Sequence, residues 1–280
     1  MKKMTIVTDS TCDLTEEEIA QLDIHVVPLS IIIDGKTYID RVDISPEAFI
    51  EKMEQADELP KSSQPAVGEF LKLFDELGRD GSEVLSIHMS GKLSGTVDAA
   101  RTAAQMSNTN VTIIDSFFTS KALGFQVRKA AQLSLLGKSL KEITVELERI
   151  RTETKLYIVV DTLENLLKGG RIGKGKALLG SLLHIKPIAK LEDGELSPAA
   201  RVRNHSQAIK YLMKQLLQDI EGKTIRRIEL AHADGYELAL KMKAKIEELT
   251  GFDKIDIHYT TPVIATHAGR GAVGFMYYAD

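Results

Sequence analysis

Short strand-like runs alternate with longer helix-like stretches along this chain, and that rhythm restricts the possible folds more than any other feature. Thr5 to Thr8, Glu83 to His88 and Val111 to Asp115 are apolar or β-branched runs, each followed by residues at helical spacing. Successive strands joined by helices need crossover connections, which favours a parallel sheet flanked by helices. Asp13-Leu14-Thr15-Glu16-Glu17-Glu18 opens a helix with acidic residues where they meet the positive end of its dipole. Ser45-Pro46-Glu47 is a second helix start, with Ser as N-cap and Pro at the first helical position. Val26 to Ile33, interrupted by Pro28, is followed by the turn dipeptide Asp34-Gly35 and then Lys36 to Ile39, which predicts a hairpin at a sheet edge. From Phe118 to about Arg151 the spacing is helical, with a break at Gly137-Lys138-Ser139.

A second cycle opens at Leu156 to Val160, apolar on both faces as buried parallel strands are. A glycine-rich basic stretch, Lys168 to Lys176, comes next, then a strand pair around Asp193-Gly194 and a helix from Ser206 to about Ile220. A strand at Arg227 to Ala231 and a helix at Tyr236 to Leu249 precede three strand-like segments, Asp256 to Tyr259, Val263 to Thr266 and Val273 to Tyr278. The expectation is an α/β protein of two lobes. The first, residues 1–154, holds a mainly parallel sheet with flanking helices; the second, residues 155–280, is a smaller mixed α/β lobe, with the boundary near Thr152 to Lys155.

Composition narrows the function classes. A chain of 280 residues that is 43% hydrophobic buries a substantial core. The net charge of −4 removes the global attraction on which non-specific nucleic-acid binding relies. The single cysteine, Cys12, allows no internal disulfide and no multi-cysteine metal site, which fits a reducing compartment. The apolar stretch after Met1-Lys2-Lys3-Met4 ends at Asp9, too short for a signal peptide, and no window approaches the ~18 apolar residues of a membrane span. A cytosolic location is expected by elimination.

Four motif matches fail on physical grounds. Gly269-x-Gly271-x-x-Gly274 fits the dinucleotide-binding string, but too few residues follow it to form the helix that would meet a pyrophosphate. Gly170-x-x-x-x-Gly175-Lys176 approaches a phosphate-binding loop, yet Ala177 stands where a hydroxyl must reach magnesium, and a helix-like segment precedes it. The seven histidines show no metal-ligand spacing. Ser94 lacks the glycine two positions earlier that a nucleophile elbow uses.

More informative are the turns that follow strands. Val7-Thr8-Asp9-Ser10-Thr11 ends the first strand, and Met89-Ser90-Gly91-Lys92-Leu93-Ser94-Gly95-Thr96 leads from a parallel strand into a helix. Ser62-Ser63-Gln64-Pro65 caps a helix beginning near Ala66. Hydroxyl-rich turns at the carboxyl ends of strands, beside helix N-termini, make a receptor for an anion. Each also has a plainer role: Ser62 and Ser94 as caps, Asp9 as the orienter of a turn, His267 as a core histidine. Ile31-Ile32-Ile33 and the run from Leu178-Leu179 to Leu182-Leu183 suit a core as well as a tunnel wall.

Taken in order, seven motifs resemble the DegV family: Val7 to Thr11, Ser62 to Pro65, Leu93 to Thr96, Ile114-Asp115-Ser116, Leu167-Lys168-Gly169-Gly170-Arg171-Ile172, Lys186-Pro187-Ile188 and His267-Ala268-Gly269-Arg270-Gly271-Ala272. The resemblance spans residues 3–280 and implies two α/β lobes with a long-chain fatty acid, such as palmitate, held between them. It implies a binding protein rather than an enzyme, with no cofactor or metal. In some bacteria such proteins carry the acyl chain for a separate ATP-binding kinase subunit, and transient contact with a membrane surface fits that role. The family's carboxylate-binding hydroxyls fall on Ser62 and Ser94, with Ser63 adjacent, and its histidine falls on His267. An arginine of the second lobe falls on Arg203, with Arg201 as the alternative; Asp9, Ser10 and Arg171 are supporting or partner-related. Lys168, Arg171, Lys174 and Lys176 form either a docking surface for the kinase or a solvated loop. The family usually has Thr where Ser62 stands and Pro where Arg270 stands, which adds a charge near the expected pocket mouth.

A fatty acid fits such residues. About fourteen buried methylenes offer on the order of 11 kcal/mol gross, much of it offset by ordering. The head group must find partners once buried. Ser62, Ser94 and helix-end N–H groups supply uncharged donors, and a protonated His267 would add a charge-assisted bond. Two other classes fit less well: a stand-alone lipid hydrolase or transferase using Ser94, and a lipid-responsive regulator.

Overall fold

The computed structural model describes residues 4–178 and 185–280. The first strand, β1 (Met4–Asp9), runs from the chain start to the turn at Ser10, and α1 (Glu16–Gln21) follows behind a Thr15–Glu18 capping box. The next strand, β2 (Ile24–Val27), pairs with β1 in parallel and forms the edge of the sheet. Pro28 then redirects the chain. The expected continuous run to Ile33 is therefore two strands in two sheets, since β3 (Ser30–Ile33) pairs antiparallel with β4 (Lys36–Ile39) and β5 (Lys61–Ser63).

Between β4 and β5 lies α2 (Pro46–Gln55), capped by Ser45 as its sequence requires. The helix α3 (Val67–Leu77) starts later than Ser62 and Ser63. Its N-cap is Ala66, whose N–H is held by Glu69, so both serines belong to a strand and are not caps. The parallel sheet is completed by β6 (Glu83–His88) and β7 (Val111–Asp115), with α4 (Thr96–Met106) as the crossover between them.

Next come α5 (Ser120–Leu135) and α6 (Leu140–Glu153), parted at the Gly137 turn. The second large sheet then starts with β8 (Lys155–Val159), and α7 (Glu164–Lys168) follows it. It continues through β9 (Lys186–Glu192), β10 (Glu195–Val202), α8 (His205–Asp219), β11 (Ile225–His232), α9 (Tyr236–Thr250), β12 (Ile255–Tyr259), α10 (Pro262–Ala268) and β13 (Val273–Ala279). Its strand order is β10-β9-β8-β13-β11-β12, and of its pairings only β11 with β12 is parallel.

Two expectations fail here. Leu156 to Val160 is not a parallel strand: β8 is antiparallel to both neighbours. It reads as apolar on both faces because each face feeds a different core. Leu156 and Val160 pack into the cluster around α5, and Tyr157 and Val159 into the cluster under α8 and α9. Val263 to Thr266 is not a strand but the body of α10, announced by Thr261 as N-cap and Pro262 in the first turn.

The sixteen-residue helix α5 lies between the two large sheets, packing on β1 and β6 from one side and on β11 and β13 from the other. That position explains its unusual burial, which includes Lys121, Gln126 and Arg128. Among the described residues no helix is long and apolar enough to cross a membrane.

Candidate ligand-binding site

The antiparallel register of β3 and β5 sets Ser62 opposite Ile31, at the side of α10. One residue before its end, α10 carries His267, whose Nε2 lies 2.7 Å from Ser62 Oγ. The end of α7 closes on the other side of the imidazole. A side chain at Gly169 would stand 2.3 Å from His267 Nδ1, so this close approach requires glycine. Burial, with the nearby Arg171 charge, pushes the His267 pKa down to about 4, and the ring is therefore neutral near pH 7. The expected charge-assisted bond from a protonated His267 does not arise at that pH. In the tautomer protonated on Nε2, the ring donates to Ser62 Oγ and leaves the serine O–H free to donate elsewhere.

Arg171 is partly buried, and its guanidinium donates to Leu93 O at 3.1 Å and Gly169 O at 2.7 Å. It thereby ties the end of α7 to the loop that carries Ser94. Ser94 stands one residue before the N-cap Gly95; its Oγ accepts from Thr96 N at 3.3 Å and lies 2.8 Å from Thr96 Oγ1. The tip of the β9–β10 hairpin docks under the same loop: Ser90 Oγ donates to Gly194 O at 2.7 Å, and a side chain at Gly194 would strike that hydroxyl. This contact brings Leu191 and Leu196 against the loop.

These elements enclose a cavity of about 410 Å³, within the roughly 300–1,000 Å³ of small-molecule sites. Ser62, Ser63, Gln64, Ser94, Arg171 and His267 line it, gathered by the contacts above, with Thr119 as a further hydroxyl-bearing residue. The rest of the wall is apolar, including Leu29, Met89, Leu156, Ile158, Leu166, Leu191, Leu196, Val263 and Ile264. Five of the eight residues expected at the site thus converge with Gln64 or its neighbours, namely Ser62, Ser63, Ser94, Arg171 and His267. Arg171 is the one Lys or Arg in the wall among the described residues, so the cation beside the uncharged donors is Arg171 and not the expected protonated His267.

Asp9 and Ser10 do not reach the cavity. Both are buried behind its wall, where Asp9 accepts from Met89 N at 2.9 Å and Ser10 Oγ from Leu29 N at 3.1 Å. Burial by itself would raise the Asp9 carboxyl, but His88 and the N–H and O–H donors around it hold it below its ordinary range. The Val7 to Thr11 motif therefore positions two wall residues, Leu29 and Met89, in keeping with the turn-orienting role. Arg203 is exposed, its backbone N–H held by Gln207, and Arg201 bonds the carbonyl of Ala177; neither lines the cavity. Arg270 is paired with Glu54 and Asp234 at 2.5 and 2.6 Å, so its charge joins α2 to the turn before α9 and does not face the cavity. Lys168 pairs with Glu164, and Lys174 and Lys176 are exposed. The leucine run from Leu178 to Leu183 lies outside the described residues, the backbone of Leu178 apart.

The motif matches set aside on sequence fail in the structure too. Around Gly269 the order is helix, turn, strand, the reverse of a dinucleotide site, and α7 precedes Gly170 where a strand is needed. Among the described residues no cluster of His, Cys, Asp or Glu could hold a metal ion.

Nothing in the sequence marked Asp40. It is buried, its Oδ1 accepts from Val263 N at 3.3 Å in the first turn of α10, and its Oδ2 has no partner among the described residues. Burial, aided by Asp13 and against the bond from Ser10, pushes its carboxyl up to about 7. A pKa raised on folding contributes stability at low pH that is lost as pH rises through the folded value. Asp40→Asn is accordingly expected to gain on the parent by about 2 kcal/mol between pH 5 and pH 8, read from denaturant unfolding at both pH values. Parallel stability curves would dismiss the role of this carboxyl.

The fold and the cavity define the class: an α/β protein that encloses an apolar chamber with one polar cluster in its wall. The DegV family model, described as an uncharacterised protein of the DegV family, matches residues 3–280. The chain belongs to the DegV family. It is 47% identical to a DegV domain-containing protein of Listeria innocua over 281 aligned residues, covering 100% of both chains. Among solved structures it is similar to a fatty-acid-binding DegV family protein from Thermus thermophilus, at 34% identity and a TM-score of 0.93, covering 99% of this chain and 100% of that one. It is also similar to DegV from Bacillus subtilis, described as a fatty acid binding protein, at 33% identity and a TM-score of 0.90 over 100% of both chains.

Proposed function

We propose that the cavity binds a long-chain fatty acid such as palmitate, with its carboxylate against Ser62, Ser94 and Arg171 and its acyl chain along the apolar wall. One observation carries this: six of the seven hydrogen-bonding residues of the 410 Å³ cavity, all but Thr119, gather in a single cluster while the remaining wall is almost wholly aliphatic. That is the polarity of a fatty acid, one ionised end and a long apolar body. The two solved relatives described as fatty-acid-binding support it, since they share the fold over essentially the whole chain. The wall draws on residues both before and after 155, in keeping with lobes of residues 1–154 and 155–280 that close on the ligand.

Binding without catalysis is the better account of the cluster. A hydrolase would need an activated serine, and the Ser62–His267 pair is the nearest approach to one. A base needs a pKa near the working pH and a third group to orient it. His267 has a pKa near 4 and an Nδ1 without a partner among the described residues, which weighs against that chemistry. A carboxylate held by donors stays chemically intact and can be presented to a separate ATP-dependent kinase in fatty acid metabolism. Turnover of acyl esters, or of ATP with fatty acid, by the pure protein alone would favour the enzyme instead.

The direct test is the affinity of delipidated protein for palmitate, measured by displacement of a fluorescent fatty acid. Ser94→Ala and Ser62→Ala are each expected to weaken binding about tenfold, the loss of one hydrogen bond to a charged group, with unchanged melting temperature. Unchanged affinity in both variants would remove the carboxylate from this cluster.

A further inference from the structure

Behind the main cavity lies a second one of about 50 Å³. The two share Thr119, Leu156, Ile158, Ile264 and Ala268, so only a thin layer of side chains stands between them. The far wall of the small chamber is formed by Ala231 on β11 and by Ala272, Gly274 and Met276 at or within β13. Its origin lies in the strand register. Ala231 pairs with Gly274, so at this point two neighbouring strands offer one methyl group and a bare backbone. On the opposite face of the same strands, Leu230 and Phe275 pack into the core under α8 and α9. Of the three hydroxyl-bearing residues that line the chamber, Ser120 and Thr260 are committed to Asp13, at 2.5 and 2.8 Å, and Thr119, on the border with the main cavity, has no partner for its Oγ1 among the described residues. Apart from Thr119 at its border the free surface of the chamber is apolar, and apolar voids stay dry and take up apolar ligands.

We propose that this chamber is the terminal compartment of the acyl site, and that Ala231, Ala272 and Gly274 set the longest chain the protein accepts. The inference rests on the fatty-acid assignment of the main cavity. A tail passing between Ile158 and Ile264 enters a space for about three methylene-sized groups, since about 10–15 Å³ suffices for one water-sized body. Each methylene that moves from water into it raises affinity about fourfold. A shorter chain leaves the space empty, and a longer one must displace Met276.

The experiment compares delipidated parent, Ala272→Val and Met276→Val for binding of saturated acids from twelve to twenty carbons, with thermal unfolding of each protein. Ala272→Val fills the chamber and is expected to lose about tenfold or more for the longest acid the parent binds well, while the shortest acids stay within about twofold. Met276→Val enlarges the chamber and is expected to move the preferred length one or two carbons upward. Folded variants that both keep the parent's length profile, or that weaken all lengths equally, overturn the inference and leave the fatty-acid assignment standing. A parent that binds no acid of any length overturns both. Should Ala272→Val fail to fold, the profile of Met276→Val decides by itself.

Discussion

Glu229→Ala is expected to lower the melting temperature of this protein by about 10 °C. Glu229 lies on β11 and is 2% exposed; its carboxylate accepts from Arg128 Nη1 at 2.8 Å and lies 3.4 Å from Lys121 Nζ. Both cations belong to α5, the helix between the two large sheets, and Arg128 also reaches Glu18 of α1 at 2.6 Å. Buried pairs add little when intact, because desolvation offsets attraction, but removing one partner strands the other charge in a poorly solvating interior at about 3–5 kcal/mol. Here the deletion removes the buried ion-pair partner of Lys121 and leaves Arg128 with Glu18 alone. For a chain of this size each kcal/mol moves the midpoint by about 2–4 °C. Lys138→Met, which breaks an exposed pair with Glu142, serves as the control and is expected to change stability by less than about 1 kcal/mol. A Glu229→Ala variant that melts within a degree or two of the parent would mean that water reaches this cluster.

Arg171→Met is expected to weaken palmitate binding about a hundredfold near neutral pH while leaving the binding of the matching fatty alcohol within a few fold. Arg171 is the cation of the cavity wall, and a charge-assisted bond to a carboxylate is worth about 1.5–3 kcal/mol. His267 cannot replace it at that pH, since its pKa near 4 keeps the ring neutral. Arg171 also holds the carbonyls of Leu93 and Gly169, so its loss loosens the loop that carries Ser94. Arg171→Lys separates the two effects: it keeps the charge and gives up the paired carbonyl bonds, and an intermediate loss is expected. Equal weakening of acid and alcohol would show a general collapse of the cavity instead of a lost head-group contact.

Much of the fold was legible because its signals are local. The caps at Thr15 and Ser45, the Asp34-Gly35 and Asp193-Gly194 turns and the runs at Glu83 to His88 and Val111 to Asp115 each act within a few residues. The errors came where burial mimics propensity. β8 is apolar on both faces because two cores meet at it, a fact of sheet position invisible in its own residues. Val263 to Thr266 is β-branched and alanine-rich, yet Thr261-Pro262 caps it as a helix, and a cap outweighs four residues of weak strand preference.

Ser62, Ser94 and His267 stand out through family motifs and line the cavity, whereas Arg171 reads from the sequence as only supporting or partner-related and nothing there singles out Asp40. The serines sit in short segments whose order along the chain is distinctive. The direction in which an arginine side chain turns, and the burial of an aspartate at a strand end, depend on what packs beside them. Arg203 and Arg270 illustrate the converse: the first, placed at the site by the resemblance, and the second, expected to put a charge near the pocket mouth, both stand at the surface.

By itself the amino-acid order determined the alternation of strands and helices, the turns between them and the hydroxyl-bearing segments that meet at the ligand cavity, because each depends on interactions among near neighbours in the chain. Only the tertiary structure decided which strands pair, that His267 stands neutral against Ser62, that Arg171 faces the cavity, and how far the cavity extends behind Ile158 and Ile264. Those properties arise from desolvation and from close contact between residues as much as two hundred positions apart, and no local pattern encodes them.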